Sequence, residues 1–341
     1  MKNGVKMSDI AERLGISVVT VSNALSGRNG VSSLLREKIC SLASEMGYKP
    51  PNTKTSRKKS LALKGKNVGI ITCKRFEGSR GTFYWELTAN ISSRLSSLNI
   101  YTVYECINQE NEKKSAQPNI ISDKKADLIA VVGQVNRNYI EMLSKLEIPV
   151  VLVDFYDNRY PFDSVNSDSY NGGYMLTDYL IRKGHTKIGF FGNLNATSSI
   201  NDRFLGYMKC LIENNINYRE EWRIDDRNEK GISLDKISFP DDMPTAFVCN
   251  CDETAFRVIS ALRSKGVRVP EDISVVGYDN YTVSSICIPA ITTMEVDINK
   301  MAESAVELIL KKLNNPSLSE ERRVISGKLI EKDSVLDISK K

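Results

Sequence analysis

In the first fifty residues, apolar positions return every three or four places in three short stretches. Ile10, Ala11 and Leu14 share one face of a segment that Ser8 or Asp9 can cap and Gly15 ends. Ser17 caps a second helix, Val18 to Leu25, with Val21 and Leu25 turned inward. Ser32 opens a third, in which Leu35, Ile39, Leu42 and Met46 recur before Gly47. Only Gly15-Ile16-Ser17 separates the first two helices, which is the spacing of a helix-turn-helix.

Beyond Lys66 the pattern changes to short β-branched runs alternating with helical stretches. VGIITC (68–73) precedes a helix near Phe83–Leu98, then come IYTVYE (100–105), DLIAVVG (127–133), a helix near Asn138–Lys145, and PVVLVDF (149–155). A second series holds a helix at Tyr170–Lys183, KIGFFGN (187–193), a helix at Arg203–Asn214, TAFVCN (245–250), a helix at Asp252–Lys265, and ISVVGYD (273–279). Apolar runs set between helices predict parallel sheets covered on both faces, and two such series predict an α/β body of two doubly wound lobes. Ligands of such sheets bind beyond the carboxyl ends of the strands. Asp154, Asn193, Asn250 and Asp279 sit at those ends. Each alone reads more readily as a turn or cap residue than as a ligand contact; together they point to a site.

A chain of 341 residues has room for two or three domains. No apolar run approaches the ~20 residues of a membrane span. The opening MKNGVKMSDI lacks the apolar centre of a signal peptide, so a cytoplasmic protein with seven reduced cysteines is expected. The cysteines form no CxxC pair, and the single histidine, His185, excludes multi-histidine metal sites. GxGxxG, GxxxxGK[ST] and GxSxG are all missing, so neither a catalytic residue, a cofactor nor a metal is expected.

The charge is unevenly divided. Residues 1–66 hold 13 Lys/Arg against 4 Asp/Glu, and the remainder 34 against 38. A basic helical module on a mildly acidic body suggests a polyanion partner, double-stranded DNA. Residues 51–66, with six basic residues and no acid, read as a solvated linker. No leucine heptads precede Lys341, so no C-terminal coiled coil is expected.

The stretch VKMSDIAERLGISVVTVSNALSGRNGVSSLLREKICSLASEMGYKP resembles the DNA-binding headpiece of the lac-repressor/gal-repressor family through DIAERLGIS, TVSNALSG, VS…REKI and the closing GYKP. The body is similar to the same family. SVNSDSYNGGYMLTDYLIRKGHTKIGFFGN (164–193), RFLGY (203–207), PTAFVCNCDETA (244–255), GVRVPEDISVVGYDN (266–280), ITTMEVDINKMAESAVELIL (291–310) and LIEKDS (329–334) follow one another in the family's order. The resemblance implies a headpiece over 1–50, a hinge over 51–66 and a two-lobed, periplasmic-binding-protein-like core over 67–341, with lobe crossings near 166, 293 and 326. It also implies a homodimeric repressor of a pseudo-palindromic operator, controlled by a sugar or related metabolite bound between the lobes.

The same resemblance assigns roles to residues. A recognition helix beginning near Ser17 would lie in the major groove, with Val18, Val19 and Asn23 at base-reading positions. Ser17, Thr20 and Ser22 would touch phosphates, and Met7, Ser8, Arg28 and Tyr48 would add DNA contacts. Valine methyls pack on the C5-methyl of thymine and asparagine pairs bidentately with adenine, so an A/T-biased half-site is expected. Leu61 is the leucine placed to enter the minor groove, although the usual Ala-Arg-x-Leu run is missing from this linker. In the cleft, Arg203 of the RxxG block would grip the effector and Asp279 of the GYD block would accept its hydroxyls. Phe83 and Tyr84 would stack on a ring or merely pack in the core. Asp154, Asn193 and Asp252 complete the expected set. Cys251 replaces the asparagine that usually precedes Asp252, and GSRG (78–81) is an insertion at the cleft rim. A transport receptor and a cytoplasmic enzyme are the competing readings; the basic headpiece opposes the first, and one histidine without a catalytic motif opposes the second.

Overall fold

The computed structural model describes residues 5–25, 31–46, 48, 63, 65–76, 83–229 and 231–339. The expected sites Arg28 and Leu61, the GSRG insertion and nearly all of the linker lie outside the described residues. The chain divides into two compact units, residues 1–61 and 62–341.

The first unit holds helices α1 (Met7–Leu14), α2 (Val18–Leu25) and α3 (Ser33–Glu45). Helix α1 starts before the expected polar cap. Asp9 lies inside its first turn and accepts the Lys6 N–H at 2.8 Å, and Gly15 ends the helix at φ +64°. Ser17 Oγ accepts the Thr20 N–H at 3.0 Å, which fixes where α2 begins. Ile10, Ala11, Val21, Ala24, Ile39 and Ala43 form the buried centre of the three helices.

The second unit contains, in chain order, β1 (Asn67–Cys73), α4 (Phe83–Ser97), β2 (Tyr101–Ile107), α5 (Gln109–Lys113), α6 (Asn119–Ser122), β3 (Leu128–Val132), α7 (Arg137–Leu143), β4 (Val150–Val153) and β5 (Asp163–Ser167). It continues with α8 (Ser169–Arg182), β6 (Ile188–Phe191), α9 (Ser198–Glu213), β7 (Arg223–Ile224), β8 (Ala246–Cys249), α10 (Asp252–Ser264), β9 (Ser274–Asp279) and α11 (Thr282–Ile286). β10 (Thr292–Glu295), α12 (Ile298–Asn314), β11 (Arg322–Ile325) and β12 (Lys328–Ile330) close it.

The strands form two six-stranded sheets, ordered β11-β5-β4-β3-β1-β2 and β12-β10-β9-β8-β6-β7. All described pairings are parallel except β10 with β12. The chain leaves the first sheet after Ser167, returns to it after Glu295, and passes between sheets again between Ile325 and Lys328. Strands β3, β4 and β8 are buried end to end, which is why they read as continuous apolar runs.

Strand β5 carries no such signal: Asp163-Ser-Val-Asn-Ser is mostly polar yet fully buried. Asp163 is matched, since it pairs with Lys312 at 3.2 Å and accepts the Glu321 N–H at 2.9 Å, whereas Ser164 Oγ and Asn166 Oδ1 are buried with no hydrogen-bond partner among the described residues. Helix α9 begins at Ser198, not Arg203, because Thr197 Oγ1 caps it through the Ile200 N–H at 3.2 Å. Helices α8 and α9 cross so closely that a Cβ at Gly173 would strike the Arg203 backbone and one at Gly206 the Tyr170 carbonyl. That crossing fixes the position of Arg203. Among the described residues, no helix is long and apolar enough to cross a membrane.

Candidate functional site

In the helical unit, α2 buries Val21 and Ala24 against α1 and α3 and leaves Val18 47% and Val19 67% exposed. The valines therefore do not serve the helical core. Asn23 lies one turn beyond Val19 on the same face and is half-buried, as is Ser22. Ser17 is an exposed cap whose hydroxyl also meets that of Thr20 at 2.8 Å. Ser8 is exposed and bonds Asp9 at 3.1 Å. Met7 and Tyr48 pack, half-buried, against the helical core.

In the two-lobed unit, the carboxyl ends of β4 and β9 present Asp154 and Asp279, both in left-handed backbone at φ +66° and +106°. Tyr84, on the first turn of α4, donates to Asp154 at 2.8 Å. Arg203 of α9 is buried. Its guanidinium lies 3.6 Å from the Tyr278 ring centroid, donates to the Asn250 carbonyl and to Ser169 Oγ at 3.3 Å, and stands 3.6 Å from Asp279. Tyr84, Asp154, Arg203 and Asp279 thus form one cluster drawn from both lobes.

Burial pushes Asp154 up to about 6, against the pull of Arg203 and the Tyr84 hydroxyl. Burial likewise pushes Asp279 up to about 8; Arg203 opposes the shift, and Asp252 and Asp154 add to it. Phe76 and Phe83 flank Tyr84, with ring centroids at 4.6 and 5.2 Å, and pack with it against the core of the unit.

Two expected residues support the cluster from behind. Asp252 is buried with both oxygens engaged, by Thr293 Oγ1 at 2.6 Å and the Tyr281 N–H at 2.8 Å, so it anchors the loop that follows Asp279. Asn193 accepts the Asn195 N–H at 2.9 Å and donates to the Arg227 carbonyl at 2.9 Å, shaping its own turn.

Sequence reasoning missed Asp226 and Arg227. Asp226 is fully buried and accepts from Arg227 Nε at 2.8 Å, Asn250 Nδ2 at 2.9 Å, Thr254 Oγ1 at 2.7 Å and the Asn193 N–H at 3.2 Å. In sequence it lies in Asp225-Asp226-Arg227-Asn228-Glu229-Lys230, which looks like a solvated charged loop. The lobes also touch directly: Tyr156 bonds both oxygens of Asp202 at 3.0 and 3.1 Å, and the Ser198 N–H reaches Gln134 at 2.6 Å.

His185 is buried between Thr245 Oγ1 at 3.0 Å and the Leu336 carbonyl at 3.1 Å, and burial holds it below the usual imidazole range. It ties the turn after α8 to Thr245 and to the C-terminal segment. Among the described residues, no group of three His, Cys, Asp or Glu side chains is arranged to hold a metal ion.

A helix-turn-helix with outward valines and, in the second unit, a strand-end cluster of two acids, a guanidinium and a tyrosine point to the class of ligand-responsive DNA-binding regulators. Residues 6–51 match the bacterial regulatory proteins of the lacI family, and residues 177–335 match the periplasmic binding protein-like domain. The HTH-type transcriptional repressor PurR of Pectobacterium carotovorum is 29% identical, with 97% of each chain covered. That of Pasteurella multocida is 28% identical over 94% of each. Among solved structures, a transcriptional regulator CelR–cellobiose complex superposes with a TM-score of 0.68 at 20% identity, over 97% of this chain and 99% of that one. A lac repressor dimer bound to operator and an anti-inducer gives 0.66 at 22% identity, over 98% and 100%. The chain thus carries a lacI-family DNA-binding domain and a periplasmic binding protein-like domain, the make-up of a DNA-binding transcriptional regulator, and over almost its whole length it is similar to LacI-type repressors.

Proposed function

We propose that two copies of this chain bind a pseudo-palindromic operator as a cytoplasmic repressor, nucleoid-associated when on DNA, and that a small polar metabolite in the interlobe cleft sets operator affinity. In this reading residues 1–50 read the DNA, 51–66 link, and 67–341 bind the metabolite and dimerise. The exposure of Val18 and Val19 on a helix whose inward face is already filled by Val21 and Ala24 carries the DNA-reading half. Those methyls suit thymine, and Asn23 beside them suits adenine. Tyr84, Asp154, Arg203 and Asp279 are the proposed effector contacts, with Phe83 behind Tyr84 and with Asn193 and Asp252 holding the loops. Repressor action and a sugar-like effector follow the curated repressors and the cellobiose-bound regulator that this chain resembles. Two-fold proteins match two-fold sites, so paired half-sites are expected.

Selecting sites from a random duplex library tests this reading. Inverted, A/T-rich half-sites should emerge, and Asn23→Ala should relax one base pair in each half by about 1–3 kcal/mol. Recovery of no preferred sequence, or of half-sites with guanine facing Asn23, would overturn it.

A further inference from the structure

The cleft does not balance its own charge. Asp226 has its cation in Arg227, 2.7 Å away. Asp252 lies in the field of Lys332, whose ammonium is held by Asn280, Ser284 and Ser285. Asp154 and Asp279 share Arg203 as the cation whose attraction acts on both, and Arg227, already paired with Asp226, adds only a weaker pull on Asp279. Arg203 meets Asp279 only at 3.6 Å, and no hydrogen bond reaches the Asp279 carboxylate from the described residues. Asp154 accepts one hydrogen bond, from Tyr84. The two acids therefore have one adjacent guanidinium between them, burial holds Asp279 largely protonated at neutral pH in the unliganded protein, and most of the acceptor capacity of both acids is unmatched. Removing a charge from water is unfavourable unless a counter-charge and hydrogen bonds replace the solvent. A neutral hydroxyl fills acceptor positions but supplies no counter-charge that would let both acids ionise. An ammonium supplies three donors and the missing positive charge together, and the ring of Tyr84, whose hydroxyl reaches Asp154, gives a cation a favourable neighbour.

We infer that the effector is a small polyhydroxylated molecule bearing a protonated primary amine, seated between Asp154 and Asp279. The inference rests on the proposed role of this cleft and narrows its ligand from polar metabolites in general to aminated ones.

The test uses the full chain and matched probes that differ only in amine against hydroxyl: glucosamine with glucose, galactosamine with galactose, and mannosamine with mannose. Thermal shift followed by calorimetric titration at pH 7 should find an amine that binds at least tenfold more tightly than its hydroxyl partner. Asp279→Asn should shrink that preference to within about twofold, and circular dichroism of the variant shows whether it is folded. Should Asp279→Asn fail to fold, Asp154→Asn makes the same comparison. Failure of every amine to bind, equal or tighter binding by a hydroxyl partner, or an amine preference that survives in the folded variant overturns the inference. Operator affinity measured in the same solutions separates the two claims. An amine that binds tightly without changing operator affinity overturns the regulatory reading and leaves the cleft chemistry standing. A neutral sugar that changes operator affinity while amines do not does the reverse.

Discussion

In the first lobe, β3 runs into Gly133 and β4 into Asp154; in the second, the strands at the same places in the sheet order, β8 and β9, run into Asn250 and Asp279. The two aspartates are alike, both with positive φ and both facing Arg203. The neighbouring ends are not. Gly133, at φ +82°, lies so close under the rings of Phe76 and Tyr84 that any β-carbon would strike Phe76. Asn250 instead joins a buried network with Asp226, Arg227 and Thr254. One lobe brings an aromatic surface and a single acid, the other a prepaid arrangement of donors and acceptors. A site built from two copies of one topology has thus divided the work: rigid polar recognition on one side, an apolar face with one adjustable carboxylate on the other. The second lobe should tolerate substitution far less.

The largest expected effect tests that asymmetry directly. Asp226→Ala leaves Arg227, Asn250 and Thr254 facing a hole, and should destabilise the fold by about 3–5 kcal/mol. Asp154→Asn in the first lobe should cost no more than ~1 kcal/mol, the value of one ordinary hydrogen bond. Denaturant titration of both variants decides the matter, and equal losses would erase the distinction between the lobes. Next, Arg203→Ala removes the cation shared by Asp154 and Asp279 and should cost about 3 kcal/mol. Ligand-induced thermal stabilisation should vanish, while operator binding survives below the melting point. A variant that still responds normally would show that Arg203 serves packing alone.

The pH dependence comes third. Asp154, Asp252 and Asp279 rise on folding to about 6, 7 and 8, chiefly through burial. Acids raised in the folded state favour it while protonated. Their contribution is complete below the ordinary carboxylate range and is lost as pH climbs through the folded values. The groups facing Asp279 are Arg203, Asp252, Asp154 and Arg227, and those facing Asp154 are Arg203 and Tyr84. The unliganded protein should therefore melt lower at pH 8.5 than at pH 5.5, and Asp279→Asn should flatten the upper part of that slope. The smallest effect is expected at the lobe contact, where Tyr156→Phe removes the bond to Asp202 for roughly 1 kcal/mol. Melting curves unchanged by Tyr156→Phe would show that this contact does not help hold the lobes together.

Periodicity made most of the architecture readable, because strands such as LIAVV and AFVC are buried along their whole length. It failed at β5, where DSVNS hides polar side chains in the sheet, and at the two residues of β7, too short for any pattern. The Ser17 cap and the α2 boundaries were legible since they depend on one local hydrogen bond. The Asp226–Arg227 network was not, for its partners come from positions 193, 250 and 254. Asp252 shows the converse limit: a residue matching a family position whose side chain, in three dimensions, is tied to Thr293 and Tyr281.

Helix α12 follows a strand of the second sheet, yet it packs against α4 and strands β3, β4 and β5 of the first. β11, the last strand of that sheet, pairs with β5 from residues 322–325. The first lobe is therefore interrupted in sequence by nearly the whole of the second. During synthesis its sheet must wait, with one apolar face and one edge uncovered, until the ribosome has delivered almost the entire chain. Long-range closure of this kind slows folding and exposes aggregation-prone surface. A nascent chain stalled near residue 297 should be a client for chaperones, whereas the second lobe then lacks only β12 and the C-terminal tail.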